Sequence, residues 1–342
     1  MLHVSNLVGR KTITLTWVAI MILALIAPAF FSCTTEETEL VHLKVVDLPY
    51  QSATTFHIAQ EEGFFAEQGL EVEFVKFTSV SQAVPLLVTG DLDVGYGSIN
   101  AGLINAIAQN LDLKIVAGAD YTFPERESQC LVVRKGLYDS GELDSIVEVK
   151  GRKVALFCTA CAEEFALSKT LELANLTLSD ITIVKMSPQD VVAAFETGAL
   201  DAAIMSTPRT ETLKSLGLGV ILQNFGALMP GFHYGFLMFG PSLLKDNPEA
   251  GKKFMTAYLK GVQIYLEGPT ENNLEIAGRC TGTDRQTLLE CPWPQVDPHG
   301  EIHVEDILTF QEWAYDNGFV DEKLSGEQLI DTTFIDYANE AM

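Results

Sequence analysis

Cys158 and Cys161 are the residues whose types and spacing point most directly to chemistry. This Cys-x-x-Cys pair lies between a strand pattern over 153–157 and a helix pattern that begins near Ala162. The positive end of a helix dipole lowers the pKa of a nearby thiol, so the pair could exchange disulfides. A thiol-disulfide oxidoreductase is therefore one interpretation. A local structural disulfide, or two free thiols lining a cleft, are the alternatives.

Other residue types that catalyse reactions or bind metals do not form a recognisable site. His299, Glu301, His303 and Glu305 alternate along one segment, but nothing closes a metal site around them, and we expect them to solvate a helix start. The sequence has no G-x-S-x-G elbow, Walker loop or H-E-x-x-H motif. We therefore predict no catalytic residue, no metal and no cofactor, and a protein that is not an enzyme.

Strand and helix patterns alternate along the chain, which predicts an α/β fold with mostly parallel sheets. The strand patterns lie at 42–48, 71–77, 93–98, 114–119, 129–134, 153–157, 181–186, 202–206, 219–223 and 234–239. The helix patterns include 55–65, 80–88, 101–110, 162–174, 190–197, 248–266 and 304–317. A chain of this length normally divides into two domains.

One short pattern occurs twice, which points to two related lobes. Thr89-Gly90-Asp91-Leu92-Asp93 ends five residues before Ser98, and Thr197-Gly198-Ala199-Leu200-Asp201 ends five residues before Ser206. Each copy follows a helix pattern and opens a short strand. The C-terminal end of each strand would face a cleft between the lobes, where open α/β sheets bind ligands.

Polar residues follow these strands at predicted helix starts. They are Tyr50, Gln51 and Ser52, then Ser98 and Asn100, and in the second lobe Ser206 and Thr207. Side chains and free backbone N–H groups at such positions can share a ligand. The alternative for the serines is simple N-capping of the helices. We predict that these residues line a ligand site.

The N-terminal segment predicts export. Arg10 and Lys11 precede an uncharged, mostly apolar run over 12–32, which predicts a signal peptide over residues 1–32. The run ends in Phe30-Phe31-Ser32-Cys33, which resembles a bacterial lipobox with Phe30 at the usual aliphatic position. Lipidation of Cys33 would anchor the protein on the extracytoplasmic face of the cell membrane through a linker over 33–41. An uncleaved membrane anchor is the alternative.

Export bears on the redox state of two further cysteines, and net charge bears on the class of partner. In an oxidising compartment Cys280 and Cys291, in a loop-rich stretch, would form a disulfide that closes a short loop. The formal net charge of the whole chain is −24. Such a surface repels phosphate backbones, so we predict no nucleic-acid partner.

Several segments together resemble the solute-binding proteins of ABC importers, nearest to the nitrate, sulfonate and thiamine-pyrimidine group. The segments are 43–49, the helix 56–65 with sequence FHIAQEEGFF, Gly69-Leu70-Glu71-Val72, Leu92-Asp93-Val94-Gly95 and 149–155 with sequence VKGRKVA. The resemblance implies a type II periplasmic-binding-protein fold, two lobes joined by two crossovers with a ligand cleft between them. Lobe one would comprise 42–127 plus 228–342, and lobe two 128–227.

The resemblance also implies a function. Such a protein closes on a small-molecule solute and presents it to a membrane permease and its ATPase. The resemblance adds Thr159 and Ala160 as ligand-facing residues, although the flanking cysteines depart from the small and hydroxyl residues that are common there. Pyrimidine synthases of the same fold are enzymes, but they are cytosolic, and export of this chain argues against that role.

The solute class is predicted from the residues near the cleft. Tyr50, Tyr121 and Tyr234, with His233, lie near strand ends and crossovers, whereas Arg209 is the only basic residue close to the loops of lobe two. Aromatic rings without cations favour a planar, largely neutral solute, such as riboflavin or a pyrimidine precursor of thiamine. A sulfonate, nitrate or similar oxyanion is the alternative, because backbone donors at helix starts bind anions without Lys or Arg.

Overall fold

Two five-stranded sheets organise the part of the chain that the structure describes. This structure is a computed structural model and describes residues 40–126 and 128–342. The predicted signal peptide 1–32, Cys33 and the linker as far as residue 39 lie outside the described residues. We use the names lobe one and lobe two for the ranges predicted above.

Lobe one carries the sheet with strand order β2-β1-β3-β11-β4. Strands β1, β2 and β3 run parallel to one another, and β11 runs antiparallel to both of its neighbours. The strands are β1 (Val41–Asp47), β2 (Leu70–Lys76), β3 (Val94–Ser98), β4 (Lys114–Gly118) and β11 (Gly235–Phe239).

Lobe two repeats this topology, with strand order β8-β7-β9-β6-β10. Strands β7, β8 and β9 are parallel, and β6 runs antiparallel to β9 and β10. In both sheets the antiparallel strand is the first one after the chain crosses from the other lobe. The type II prediction is therefore confirmed. The strands are β6 (Gln129–Arg134), β7 (Lys153–Leu156), β8 (Thr182–Lys185), β9 (Ala202–Ser206) and β10 (Gly219–Asn224).

The helices cover the sheets, and the strands between them are buried on both faces. In β6, Leu131 and Val133 join one apolar cluster while Cys130 and Val132 join another, because successive side chains of a strand point to opposite faces. Helices α1 to α8 are Thr54–Glu61, Phe64–Glu67, Val84–Thr89, Ala101–Ala108, Lys135–Asp139, Ala162–Glu172, Val191–Glu196 and Arg209–Ser215; α9 to α15 are Phe225–Leu228, Pro248–Tyr265, Glu271–Thr281, Arg285–Glu290, Val304–Asp316, Gly326–Leu329 and Thr333–Ala341.

The glycines of the repeated pattern end a helix in each lobe. Gly90 follows α3 with φ +76°, and Gly198 follows α7 with φ +70°. A left-handed residue at this position turns the chain out of the helix, and glycine adopts it without steric cost. The predicted helix pattern 55–65 is broken for the same reason, because Gly63 has φ +78° between α1 and α2.

The aspartates of the repeat join two parallel strands in each lobe. Asp93 Oδ2 accepts the backbone N–H of Lys44 at 2.7 Å, and Asp201 Oδ2 accepts that of Lys153 at 2.9 Å. In both lobes the aspartate N–H also donates to the lysine carbonyl, at 2.9 and 3.1 Å. The repeat thus fixes β3 beside β1 and β9 beside β7, which brings equivalent strand ends to the cleft.

The two crossovers pair with each other between the lobes. Strand β5 (Asp120–Tyr121) lies on the first crossover and pairs with β12 (Gln295–Val296). Tyr121 forms a β-bridge to His233 on the second crossover, and the Tyr234 N–H donates to the Asp120 carbonyl at 3.0 Å. These bonds hold Asp120 and Tyr234 at the base of the cleft. None of the helices within 40–126 and 128–342 is both long and apolar enough to cross a membrane.

Candidate functional site

The cleft between the lobes is closed by backbone hydrogen bonds. The loop after β3 meets the loop after β7, where the Ala101 N–H donates to the Ala160 carbonyl at 2.8 Å and the Ala162 N–H donates to the Ile99 carbonyl at 3.0 Å. These bonds flank a β-bridge between Asn100 and Cys161. Backbone groups of the two loops therefore hold the two lobes together.

A side-chain contact closes the cleft at a second point. Arg209 of lobe two donates from Nη1 to the Pro49 carbonyl of lobe one at 3.2 Å. Burial lowers the pKa of this guanidinium, which nevertheless stays charged near neutral pH. Arg209 is thus committed to lobe closure and does not line the cavity.

A cavity of about 30 Å³ lies inside the closed cleft. Its walls come mainly from residues at strand ends of both sheets, where α/β proteins bind ligands. No lysine, arginine or histidine of the described chain lines it. The lining residues are Tyr50, Gln51, Ser52, Gly97, Ser98, Asp120, Ser128, Gln129, Phe157, Glu163, Ser206, Thr207, Tyr234 and Pro294.

Asp120 brings a buried carboxyl group to the lobe-one side of the cavity. The residue is 4% exposed. The Tyr96 hydroxyl donates to Oδ2 of Asp120, and the Tyr96 oxygen also lies 2.6 Å from Ser52 Oγ. Burial raises the pKa of Asp120 to about 6, although the hydrogen bonds with Ser52 and Tyr96 oppose this shift. Asp120 therefore titrates close to physiological pH.

Glu163 brings a second buried carboxyl group from lobe two. It lies in the first turn of α6 and is 2% exposed. Its Oε1 accepts from the Ser98 hydroxyl at 2.5 Å and from Gln129 Nε2 at 3.5 Å. Burial raises the pKa of Glu163, and the negative charge of Asp120 raises it further. The two carboxyl groups thus belong to different lobes and interact electrostatically.

Several buried polar atoms of the lining residues have no hydrogen-bond partner within the protein. They are both amide atoms of Gln51, Oδ1 of Asp120 and Oγ1 of Thr207. Gln51 is 1% exposed and Thr207 is 3% exposed. An unpaired buried polar group is costly, so native structures rarely keep several together without a ligand or water. This group is the strongest local sign of a binding site.

Aromatic rings form the remaining wall. Tyr50 of lobe one faces Phe157 of lobe two, with ring centroids 6.4 Å apart. Tyr234 is buried, and burial followed by the nearby charges of Asp120 and Glu163 raises its pKa well above the usual range. These phenols are neutral at physiological pH and offer apolar surface with a hydroxyl group.

Of the sequence-predicted ligand residues, those directly at strand ends reach the cavity. They are Tyr50, Gln51, Ser52, Ser98, Ser206, Thr207 and Tyr234. Asn100 instead caps α4, accepting the Leu103 N–H at 3.1 Å, and Thr159 is exposed to solvent. Ala160 has φ +52° and contributes its carbonyl to lobe closure.

Tyr121 and His233 belong to the crossover region and not to the cavity wall. Their rings stack with centroids 5.1 Å apart, and His303 stacks on the other face of His233 at 3.7 Å. Burial and, to a smaller extent, the neighbouring His303 lower the pKa of His233 to about 4. In the structure both rings pack at the crossovers, where a β-bridge joins the two residues, and their contact with the solute stays a prediction.

Cys158 and Cys161 form a disulfide. They are 5% and 1% exposed, and Cys158 Sγ lies 3.3 Å from Glu163 Oε2 in a contact that is not a hydrogen bond, since a disulfide sulfur carries no hydrogen. Buried sulfurs are poorly placed for exchange with a protein partner. The disulfide instead constrains the loop that closes the cleft.

The predicted disulfide between Cys280 and Cys291 is not formed in the structure. Burial raises the pKa of both thiols to about 12. Cys280 lies on α11 beside Thr54, whereas Cys291 follows α12 and lies near Glu211 of α8. The two side chains therefore point to different neighbours.

The histidine segment does not form a cluster of metal ligands. His299 lies 3.3 Å from Asn339 Oδ1, and His303 lies 3.6 Å from Asp306. Within the described ranges, the group of potential ligand atoms that meet is Cys158, Cys161 and Glu163, and there the two sulfurs are joined to each other.

Sequence reasoning missed Asp120 and Glu163 as cavity residues. Asp120 directly follows the apolar strand pattern over 114–119, which is a detectable signal because a buried acid needs hydrogen-bond or charge partners. The sequence alone explains Glu163 as a favourable partner of the α6 dipole, which gives no sign of a ligand site. Glu164 fits that interpretation better, since it accepts the Ala160 N–H beside the helix start.

Comparison with known proteins places the chain among binding proteins. The family model described as NMT1/THI5 like matches residues 51–272. A putative binding protein of Brucella abortus (strain 2308) is 26% identical over 242 residues, which cover 70% of this chain and 71% of that protein. A putative aliphatic sulfonates-binding protein of Bacillus subtilis (strain 168) is 24% identical over 298 residues, which cover 85% of this chain and 86% of that protein.

A solved structure shares the fold. The periplasmic nitrate-binding protein of Synechocystis PCC 6803 superposes with a TM-score of 0.74 at 15% sequence identity, and the match covers 89% of each chain. At this identity the likeness establishes the fold and not the ligand.

Proposed function

The chain belongs to the NMT1/THI5-like family, and from that premise we propose that it is the extracytoplasmic solute-binding component of an ABC importer. It captures a small solute between its lobes and delivers it to a membrane permease and its ATPase. The observation that carries this proposal is the cavity at the strand ends of both lobes, with unpaired buried polar atoms on Gln51, Asp120 and Thr207.

Closure supplies the signal for delivery. The solute contacts lining residues of both lobes only when the cleft is closed, so its binding shifts the population toward the closed state. Ser98 and Glu163, which hydrogen-bond across the cleft, and the backbone bonds around Asn100 and Cys161 form in the same state. A permease that recognises the closed form would distinguish loaded from empty protein.

Cavity size bears on the solute. A cavity of about 30 Å³ is far below the roughly 300–1,000 Å³ of sites that hold drug-sized ligands. A flavin such as riboflavin therefore does not fit this closed form, and a pyrimidine ring needs a wider cleft than the one in the structure, whereas a compact ion of a few atoms comes closer to this volume. Tyr50, Phe157 and Tyr234 favour a pyrimidine-sized ring.

A small sulfonate or nitrate is the alternative solute, and the comparisons with known proteins support it better than a heteroaromatic ring. It is favoured by the names of the Bacillus subtilis relative and of the Synechocystis structure. The absence of a cation among the described lining residues makes such a site dependent on backbone and hydroxyl donors, of which Ser206 and Thr207 offer two.

Attachment to the membrane through Cys33 is also part of the proposal. It rests on the N-terminal sequence alone. In cells that process lipoproteins, Cys33→Ser should move the protein from the membrane fraction to the soluble fraction, with Ser32→Ala as a control that keeps the cysteine and a small residue before it. Membrane association that survives Cys33→Ser would favour the uncleaved anchor.

The experiment that tests binding is a thermal-shift screen of the purified full chain against pyrimidines, riboflavin, alkanesulfonates and nitrate. A ligand at 100 times its Kd stabilises the native state by about 2.7 kcal/mol, so a saturable rise in melting temperature is expected for one class. Gln51→Leu should weaken the response, and Gln286→Leu, the same change at an exposed position on α12, should not. Equal responses of the two variants would argue against this cavity.

A further inference from the structure

The cavity receives a carboxyl group from each lobe and no basic side chain from either. Asp120 comes from the first crossover and Glu163 from the first turn of α6, and both are more than nine-tenths buried. The lining residues of the described chain include neither lysine, arginine nor histidine. The guanidinium of Arg209 is held by the Pro49 carbonyl.

We infer that the solute carries nitrogen-borne hydrogen-bond donors, an ammonium or a ring amino group, which Asp120 and Glu163 accept from opposite lobes. This inference rests on the proposed function and deepens it by naming the recognised group. Carboxylates accept hydrogen bonds most strongly from charged or polarised N–H groups. A donor-bearing solute would therefore bridge the two lobes.

Both carboxyl groups keep acceptor capacity for such a solute. Tyr96 hydrogen-bonds Oδ2 of Asp120 and leaves Oδ1 without a partner in the protein. Glu163 receives Ser98 and Gln129 on Oε1, while Oε2 touches only the hydrogen-free sulfur of Cys158 among side chains. An ionised carboxylate has about four acceptor positions, so each group can accept at least one more hydrogen bond.

The surroundings of Asp120 contain no compensating positive charge. Its negative charge raises the pKa of Glu163 and of five buried tyrosines. Burial also raises the pKa of each tyrosine, so all five phenols are neutral near pH 7. The phenols are Tyr50, Tyr96, Tyr234, Tyr258 and Tyr265. Two like charges on opposite sides of the closed cleft repel and oppose closure. A nitrogen cation between them would reverse this effect, whereas a simple oxyanion would increase the repulsion.

Two matched pairs of probes test the inference. Cytosine and uracil differ by an exocyclic amino group, and taurine and isethionate share a sulfonate but differ by an ammonium against a hydroxyl. Calorimetric titration of the full chain at pH 7.5 should show cytosine or taurine binding at least about tenfold more tightly than its partner, as expected for a hydrogen bond to a charged group.

The outcomes separate this inference from the proposed function. If uracil binds as tightly as cytosine, if isethionate binds as tightly as taurine, or if only methanesulfonate and nitrate bind, the inference is overturned while the binding function stands. Absence of binding by every probe counts against both.

Amide variants test the two carboxyl groups directly. Asp120→Asn and Glu163→Gln keep the side-chain shape. Each should weaken binding of cytosine or taurine at least about tenfold, without weakening binding of a nitrogen-free sulfonate such as isethionate. Glu172→Gln, at an exposed ion pair with Lys169, is the matched control and should leave affinity unchanged. Normal melting of both cavity variants with unchanged affinity would overturn the inference.

Discussion

Replacing Asp120 by asparagine should stabilise the ligand-free protein at neutral pH. Burial raises the pKa of this carboxyl from 3.8 to about 6, so keeping it ionised costs free energy in the folded state. One pKa unit corresponds to about 1.4 kcal/mol, and the cost at pH above 6 is therefore ~3 kcal/mol. Asp120→Asn removes the charge but keeps an oxygen that can accept from Tyr96.

The sign of the pH dependence follows from linkage. Between pH 3.8 and about 6 the folded state binds more protons at Asp120 than the unfolded state, so its contribution to stability is present at low pH and is lost as pH rises. Asp120→Asn should match the wild type near pH 4 and exceed it by ~3 kcal/mol at pH 7.5. Other titrating groups are common to both proteins and largely cancel.

Differential scanning calorimetry of both proteins at several pH values measures this difference, which amounts to several degrees in melting temperature at pH 7.5. Asp139→Asn, at an exposed ion pair with Lys135, is the control and should change stability by less than about 1 kcal/mol throughout. A stability difference between Asp120→Asn and the wild type that does not change with pH would refute the reasoning.

The remaining predictions concern the repeat, the disulfide and the solute. Gly198→Ala should lower the free energy of unfolding by about 1–2 kcal/mol because φ is +70°, whereas Gly136→Ala within α5 should be neutral or stabilising in the same urea titration. Reducing the Cys158–Cys161 disulfide should cost about 2 kcal/mol from loop entropy, and a Cys158→Ala/Cys161→Ala variant should melt identically with and without reductant. Affinity for a nitrogen cation should fall as pH drops below about 6, by up to about tenfold per pH unit, as Asp120 is protonated; an affinity that rises instead would indicate an anionic solute.

Local sequence patterns were sufficient to predict the alternation of elements and the strand-end residues of the cleft. Tyr50, Ser98 and Ser206 could be placed because side-chain periodicity and turn chemistry act over a few residues, and the repeated Thr-Gly pattern marks a helix end wherever it occurs. The α/β fold with two lobes followed from the same local signals together with the resemblance.

Only the tertiary structure decided which residues meet across the lobes. Asp120 and Glu163 are separated along the chain and come from different lobes, so no local pattern relates their charges. Tyr121 and His233 stack because the two crossovers pair, and Cys280 and Cys291 stay apart because their helices turn them toward different neighbours. Sequence patterns act along the chain, whereas burial, charge repulsion and ring stacking depend on distances through space.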